Sequence, residues 1–317
     1  MIDTRAVEKE NVLIQAGNCV VSILPYLGGK IASIQFRNHE LLQRPLAPYA
    51  PRTRTMSFEA SDASGWDECI PSVAACSVET QDGEAFIPDH GDLWRVEWQP
   101  VKETADSVTH CGNCFSLPLQ LQRTISINES DLGPLLRLDY TVKNLAGFPV
   151  PWSWAAHPLF AVEKGDRVVL PESVRSLLIE GSGGGRLGDA GKQICWPLTA
   201  TETGSATDLS LVSELESGIG DKLFAGPLQS EEGWCALERP QLGVRIKIEF
   251  DPSATPYLGL WLCYGGWPER QGTKQMCVAL EPATAPVDSL SRKGPWSRML
   301  EPGESFQWFM SVTFETI

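Results

Sequence analysis

Three side chains in this 317-residue chain have types and settings suited to moving protons. Only four histidines occur: His39, His90, His110 and His157. His157 closes the aromatic, apolar run Pro151-Trp152-Ser153-Trp154-Ala155-Ala156 and is followed at once by Pro158. A proline pushes the preceding residue towards extended backbone and removes a ladder donor, so His157 is expected where a strand ends. An imidazole there, beside two tryptophans, is placed to face a cleft. The plainer alternative is a histidine satisfied inside the core. His90 lies in Ile87-Pro88-Asp89-His90-Gly91-Asp92-Leu93-Trp94, a tight loop flanked by charged and aromatic residues. Glu281 ends the apolar segment Met276-Cys277-Val278-Ala279-Leu280 and precedes Pro282. A carboxylate so placed is partly desolvated, which raises its pKa and makes it a better base near neutrality. The alternative is a strand-end glutamate in solvent. A histidine and a glutamate with pKa values near neutrality suit reversible general acid–base chemistry.

Other motif-like stretches carry less. Gly183-Gly184-Gly185-Arg186-Leu187-Gly188 fits the dinucleotide pattern, but that pattern needs a helix behind it to hold the pyrophosphate. Here Asp189-Ala190-Gly191-Lys192 and then Trp196-Pro197 follow, which is poor helix sequence, so a loop is expected. Cys111-Gly112-Asn113-Cys114 is a lone C-x-x-C. A structural zinc site wants a second pair, and a thioredoxin-like site wants a βαβ context. No G-x-S-x-G elbow or Walker A sequence occurs. No metal and no cofactor are expected.

The elements that must position these residues read as strands. The segments 12–14, 19–24, 119–127, 135–142, 244–250 and 306–314 are short, apolar or alternating, and are separated by turn residues. Val244-Arg245-Ile246-Lys247-Ile248-Glu249-Phe250 is the clearest, with one wet face. With 28 Gly and 23 Pro as punctuation, the pattern predicts an antiparallel all-β protein. Only the segment 206–217 suggests a helix, through Leu209, Val212 and Leu215. No repeat and no long linker appears, so residues 1–317 are expected to form one domain.

The net charge of −14 repels phosphate backbones, which argues against nucleic acid as a partner. No run of 18 apolar residues is present, so no membrane span is expected. Residues 1–10 are polar and lack a secretion signal's apolar core, so a cytoplasmic location is expected. Nine cysteines, an odd number at scattered spacings, read as small core residues such as Cys19 and Cys263 and not as a disulfide framework.

The segments around the three candidate residues, taken in order, resemble the aldose 1-epimerase family, whose members are galactose mutarotase-like. The matching stretches are Leu27-Gly28-Gly29-Lys30-Ile31-Ala32-Ser33-Ile34, Gly65-Trp66-Asp67-Glu68-Cys69-Ile70-Pro71, Pro88-Asp89-His90-Gly91, Ala156-His157-Pro158-Leu159-Phe160 and Leu280-Glu281-Pro282. They run from residue 27 to residue 282.

The resemblance implies a large antiparallel β-sandwich, the galactose mutarotase-like supersandwich, and an isomerase that interconverts α and β anomers of a monosaccharide. It implies His157 as the general acid at the ring oxygen, Glu281 as the general base at the anomeric hydroxyl, and His90 as a second imidazole on the sugar. It implies a small-molecule sugar as partner, with the protein a monomer or homodimer. Trp66, Trp94, Trp261 and Trp267 lie near the matched stretches and could stack on a pyranose, with Trp261 or Trp267 favoured; they could equally fill the space between sheets.

Two departures concern the hydroxyls. The early Asn-Arg pair of galactose mutarotases is missing, leaving Arg52 or Arg54 as possible substitutes. Asp221 is the nearest match to a hydroxyl-binding aspartate. No arginine cluster suited to a sugar phosphate is seen. Two other functions fit the same scaffold: sugar binding without catalysis, and glycoside cleavage, which would pair Glu281 with Glu68 or Asp89.

Overall fold

Alternation of apolar and polar residues decides the architecture, since a strand shows one face to the core and the other to solvent. The computed structural model describes residues 11–269 and 272–317. The expectation drawn from residues 1–10 lies outside the described residues. Strands carry nearly all of the regular structure; the only helical pieces among the described residues are three-residue 3₁₀ turns.

Two large antiparallel sheets dominate. One has 11 strands, the other eight. The eight-stranded sheet is centred on the 12-residue strands Leu119–Ser130, Gly133–Asn144 and Ser305–Thr316. In Leu119–Ser130 the residues Leu119, Leu121, Arg123, Ile125 and Ile127 are buried while their neighbours are half-covered. The strand Val244–Phe250 alternates as its sequence predicts, with Val244, Ile246, Ile248 and Phe250 turned inward. These residues share one core with Ile31, Trp66, Phe160, Leu260, Val278 and Leu280 from the larger sheet. The fold class is all-β, a large antiparallel sandwich.

A buried polar cluster ties the two sheets together. The guanidinium of Arg123 donates to Glu68 Oε1 (2.8 Å), as does Tyr140 Oη (3.0 Å), and Trp154 Nε1 donates to Glu68 Oε2 (2.8 Å). With both its oxygens engaged, Glu68 of the larger sheet is held in the core by Arg123 and Tyr140 of the smaller one and by Trp154, despite its desolvation.

Three local expectations fail. The segment 206–217 is not helical. Ala206–Asp208 pairs with Leu198–Ala200 as a small hairpin, and Leu215–Ser217 is a single 3₁₀ turn. Leu209 and Val212 enter the core from a turn and the irregular chain after it, so their spacing resembles a helical stripe without a helix. Neither proline ends its strand. Ala155–Ala161 runs through Pro158 and Met276–Ala283 runs through Pro282. The pairing between these strands is regular at Ala155↔Ala283 and Leu159↔Ala279 but interrupted between them, where the two prolines offer no N–H.

The glycine-rich stretch is a turn, Gly183–Gly185, with no α-helix behind it, as its sequence suggests. All nine cysteines are free, and Cys19, Cys69, Cys235, Cys263 and Cys277 are buried.

Candidate functional site

The middle of the 11-stranded sheet is the strand order Lys30–Phe36, Trp66–Cys69, Ala155–Ala161, Met276–Ala283, Tyr257–Tyr264 and Ile219–Ala225. Directly opposed residues of antiparallel strands point to the same face. His157 opposes Asp67, and Glu281 opposes Gly259, which opposes Phe224. The flanking pairs Ala155↔Ala283 and Leu159↔Ala279 bring His157 level with Glu281. Asp67, His157, Glu281 and Phe224 therefore form one row across the face turned away from the inter-sheet core. Two residues along, Lys222 opposes Trp261 and Trp261 opposes Ala279 on the same face.

This face opens into a cleft of about 170 Å³. His157, Glu281, Lys222, Trp261 and Gln275 line it from the strands and their ends. Loops add Phe58, Asp89, His90, Trp267 and Asp288. His157 Nε2 lies 4.0 Å from Glu281 Oε1, too far for a hydrogen bond. Glu281 Oε1 and His157 Nδ1 are buried and have no hydrogen-bond partner. The other carboxylate oxygen, Oε2, accepts from Lys222 Nζ, which also lies 3.6 Å from Asp288 Oδ1. Gly259 leaves room for the carboxylate: a Cβ there would stand 3.0 Å from Glu281 Oε2.

His90 takes a left-handed conformation (φ 59°), uncommon outside glycine and asparagine, and is fixed from several sides. Its ring stacks on Phe58 (centroids 3.8 Å, planes 9° apart), its Nδ1 meets Asp89 Oδ2 at 2.8 Å, and its backbone N–H donates to Val73 O. The His90 and His157 rings meet edge to face at 5.0 Å. Gln275 accepts from Trp261 Nε1 (3.2 Å) and donates to Ala63 O (3.1 Å), so the indole of Trp261 is tied to the loop above.

Burial sets the proton affinities. It drives the His157 imidazole well below its ordinary range, helped by His90, Lys222 and Lys30. It pushes the Glu281 carboxyl up, against the pull of the Lys222 ammonium. Lys222 is raised: burial disfavours its charge, but the Asp288 and Glu281 carboxylates outweigh burial. The rise at Glu281 is the one its sequence setting suggests. His157 lies further below neutrality than its setting suggests, because it is nearly enclosed.

The structure thus brings His157, Glu281, His90, Trp261 and Trp267 together and leaves Asp221, Arg54 and Trp66 out, with Arg52, paired to Asp62, and the buried Trp94 also outside the cleft lining. Asp221 is one residue out of phase, on the face opposite Lys222, where it accepts from Ser182 Oγ (2.6 Å) and pairs with Arg186. Arg54 is exposed and packs on Phe115 (5.0 Å) away from the cleft. Trp66 is fully buried in the inter-sheet core beside Phe160. Glu68 points into that core as well, so it cannot face Glu281 across the cleft as glycoside cleavage would need. Lys222, Phe58, Gln275 and Asp288 were missed. Lys222 stands next to Asp221, but both faces of that strand are buried, so alternation does not reveal which of the two faces the cleft; the others come from loops and strand ends without a local signature.

No protein-family profile matches the sequence, and no curated protein matches it. Solved structures do. A candidate aldose 1-epimerase of Escherichia coli K12 superposes with a TM-score of 0.70 at 18% identity, covering 97% of this chain and 99% of the other. A galactose mutarotase related enzyme of Lactobacillus acidophilus gives 0.67 at 16% identity over 97% and 98%. A GalM/aldose epimerase homologue of Caenorhabditis elegans gives 0.63 at 12% over 97% and 100%. The class is an antiparallel β-sandwich with a cleft on one sheet. The particular fold is the galactose mutarotase-like one.

Proposed function

We propose that the protein is an aldose 1-epimerase, interconverting the anomers of a monosaccharide by proton transfer at His157 and Glu281. The observation that carries this reading is the 4.0 Å gap between His157 Nε2 and Glu281 Oε1, with Oε1 buried and unpartnered. A cyclic hemiacetal bears two oxygens on one carbon, the anomeric hydroxyl and the ring oxygen. An acceptor and a donor side by side can engage both at once.

Ring opening then runs as follows. Glu281 takes the proton of the anomeric hydroxyl, the C1–ring oxygen bond breaks as C1=O forms, and His157 protonates the departing ring oxygen. Rotation about C1–C2 turns the other carbonyl face to the ring oxygen, and the reverse transfers close the ring. The pair must hold one proton in total. Burial depresses the imidazole and raises the carboxyl, which makes His157 a readier proton donor and Glu281 a readier acceptor, the directions ring opening needs. Trp261, Trp267 and Phe58 offer flat apolar surface to the C–H face of a pyranose. Lys222, Asp288 and His90 offer donors and acceptors to its hydroxyls.

The test is the rate of anomer exchange measured by NMR with a panel of aldoses. Acceleration that saturates with one sugar, and disappears in His157→Gln and Glu281→Gln, supports the proposal. Saturable sugar binding with no acceleration in the wild-type protein would replace it with a binding role.

A further inference from the structure

The proposed proton transfer accounts for Nε2 of His157 but leaves Nδ1, also buried, without a partner. Directly across the strand pair stands Asp67, whose Oδ1 is likewise buried and unpartnered. Opposed residues in an antiparallel pair have Cβ atoms about 5 Å apart and share a face. An imidazole and a carboxylate so placed can join through one hydrogen bond with a small side-chain rotation. We propose that Asp67 is a positioning residue: its free oxygen receives the Nδ1–H of His157 and holds the ring with Nε2 turned to Glu281.

The rest of the Asp67 environment suits this. Its other oxygen, Oδ2, is taken by Lys30 Nζ at 2.5 Å, and Lys30 also donates to Ser64 O and lies 3.2 Å from Asp62. Asp62 is paired in turn with Arg52. Lys30 and Arg52 balance Asp62 and Asp67, so the group as a whole adds no net charge beneath the site. Lys30 has no acceptor capacity, so it fixes which Asp67 oxygen remains for His157. The charged and titratable groups that face His157 are then Glu281 and Asp67 from the two neighbouring strands, His90 from its loop, and Lys222 and Lys30 further off. Among these, Asp67 is the acceptor opposed to His157 on the side away from Glu281.

The state of the imidazole follows. With Nδ1–H committed to Asp67, the neutral ring presents a bare Nε2 to the cleft, ready to take up and return a proton. Asp67→Asn reverses this. Lys30 keeps the amide oxygen, the amide NH₂ turns to His157, and Nδ1 must become the acceptor. The proton then moves to Nε2, the wrong nitrogen for uptake. The same logic explains why an Asp-to-Asn change in a serine protease triad traps the wrong tautomer.

The experiment is a long-range ¹H–¹⁵N correlation spectrum of the imidazoles in the ¹⁵N-labelled full chain at alkaline pH. The His157 signals are assigned by their loss in His157→Gln. The expected wild-type pattern is protonated Nδ1 with bare Nε2, switching to protonated Nε2 in Asp67→Asn. With a sugar that the protein turns over, Asp67→Asn should lower kcat by about 10²-fold or more with KM little changed. Protonated Nε2 in the wild-type protein overturns the assignment, as does an unchanged tautomer in a folded Asp67→Asn protein. The rate effect rests on the anomer-exchange reading, but the tautomer does not. If no aldose is turned over while the tautomer pattern holds, the function falls and the positioning role stands. If Asp67→Asn does not fold, the wild-type spectrum alone decides.

Discussion

Gly259 is the place where a single methyl group tests how tightly Glu281 must be held. It lies directly across from Glu281 in the neighbouring strand, with ordinary strand backbone, so Gly259→Ala introduces no left-handed strain. The new Cβ would stand 3.0 Å from Glu281 Oε2, 3.1 Å from Phe224 Cε1 and 3.3 Å from Glu281 Cβ, where ordinary contact begins near 3.4 Å. The carboxylate must therefore retreat by the difference between 3.0 and 3.4 Å, 0.4 Å. Misplacing a reacting group by 1 Å costs about 10²-fold in rate. Taken in proportion, a retreat of 0.4 Å lowers kcat roughly sixfold, or about 1 kcal/mol of barrier. Stability should change little. Alanine gains about 0.5–1 kcal/mol over glycine inside a strand, and the tight contact offsets it. The assay pairs anomer-exchange kinetics with urea unfolding. An unchanged kcat with an unchanged unfolding midpoint would show that the Glu281 position does not govern the rate, and the reasoning would fail.

Other outcomes follow from the same geometry. Lys222→Met removes an ammonium that lowers the proton affinity of both Glu281 and His157, so both rise. The bell of kcat/KM against pH should move to higher pH on both limbs; a pH-rate profile that stays put or moves to acid contradicts the role given to Lys222. Trp261→Ala and Trp267→Ala strip the stacking surface and should raise KM more than they lower kcat, checked by saturation kinetics with the preferred sugar. Arg123→Ala leaves Glu68 charged and buried between the sheets, so unfolding free energy should drop by about 3–5 kcal/mol in urea titrations. Asp221→Asn, on the far face of its strand, should leave KM for the sugar unchanged, a point direct kinetics settles.

Much of the architecture was legible in the chain. Strands such as Val244–Phe250 and Leu119–Ser130 announce themselves because alternation is a local property. His157 and Glu281 stood out because a polar group ending an apolar run beside proline needs a reason to be there. What joined them was the resemblance to aldose 1-epimerases, because no local rule reveals that two strands over a hundred residues apart lie side by side. The misplacements of Asp221 and Trp66 share one cause. Strand phase is not legible there, so Asp221 is expected where Lys222 lines the cleft, and Trp66 where Asp67 shares the sheet face of His157. A period-two pattern cannot be phased when both faces are buried, as they are through Asp221-Lys222-Leu223-Phe224-Ala225 and Trp66-Asp67-Glu68-Cys69. Phe58 and Asp288 sit in irregular segments whose path only the tertiary structure sets.

The most direct measurement is two-dimensional exchange NMR between α and β signals of aldoses at equilibrium, with catalytic amounts of protein. Cross-peaks that build up far faster than in buffer for at least one aldose are expected. They should fall by about 10²–10⁴-fold in Glu281→Gln and in His157→Gln proteins that remain folded. Cross-peaks growing at the buffer rate for every aldose with the wild-type protein, or undiminished in either variant, would contradict the assignment of these two side chains as the proton-transfer pair.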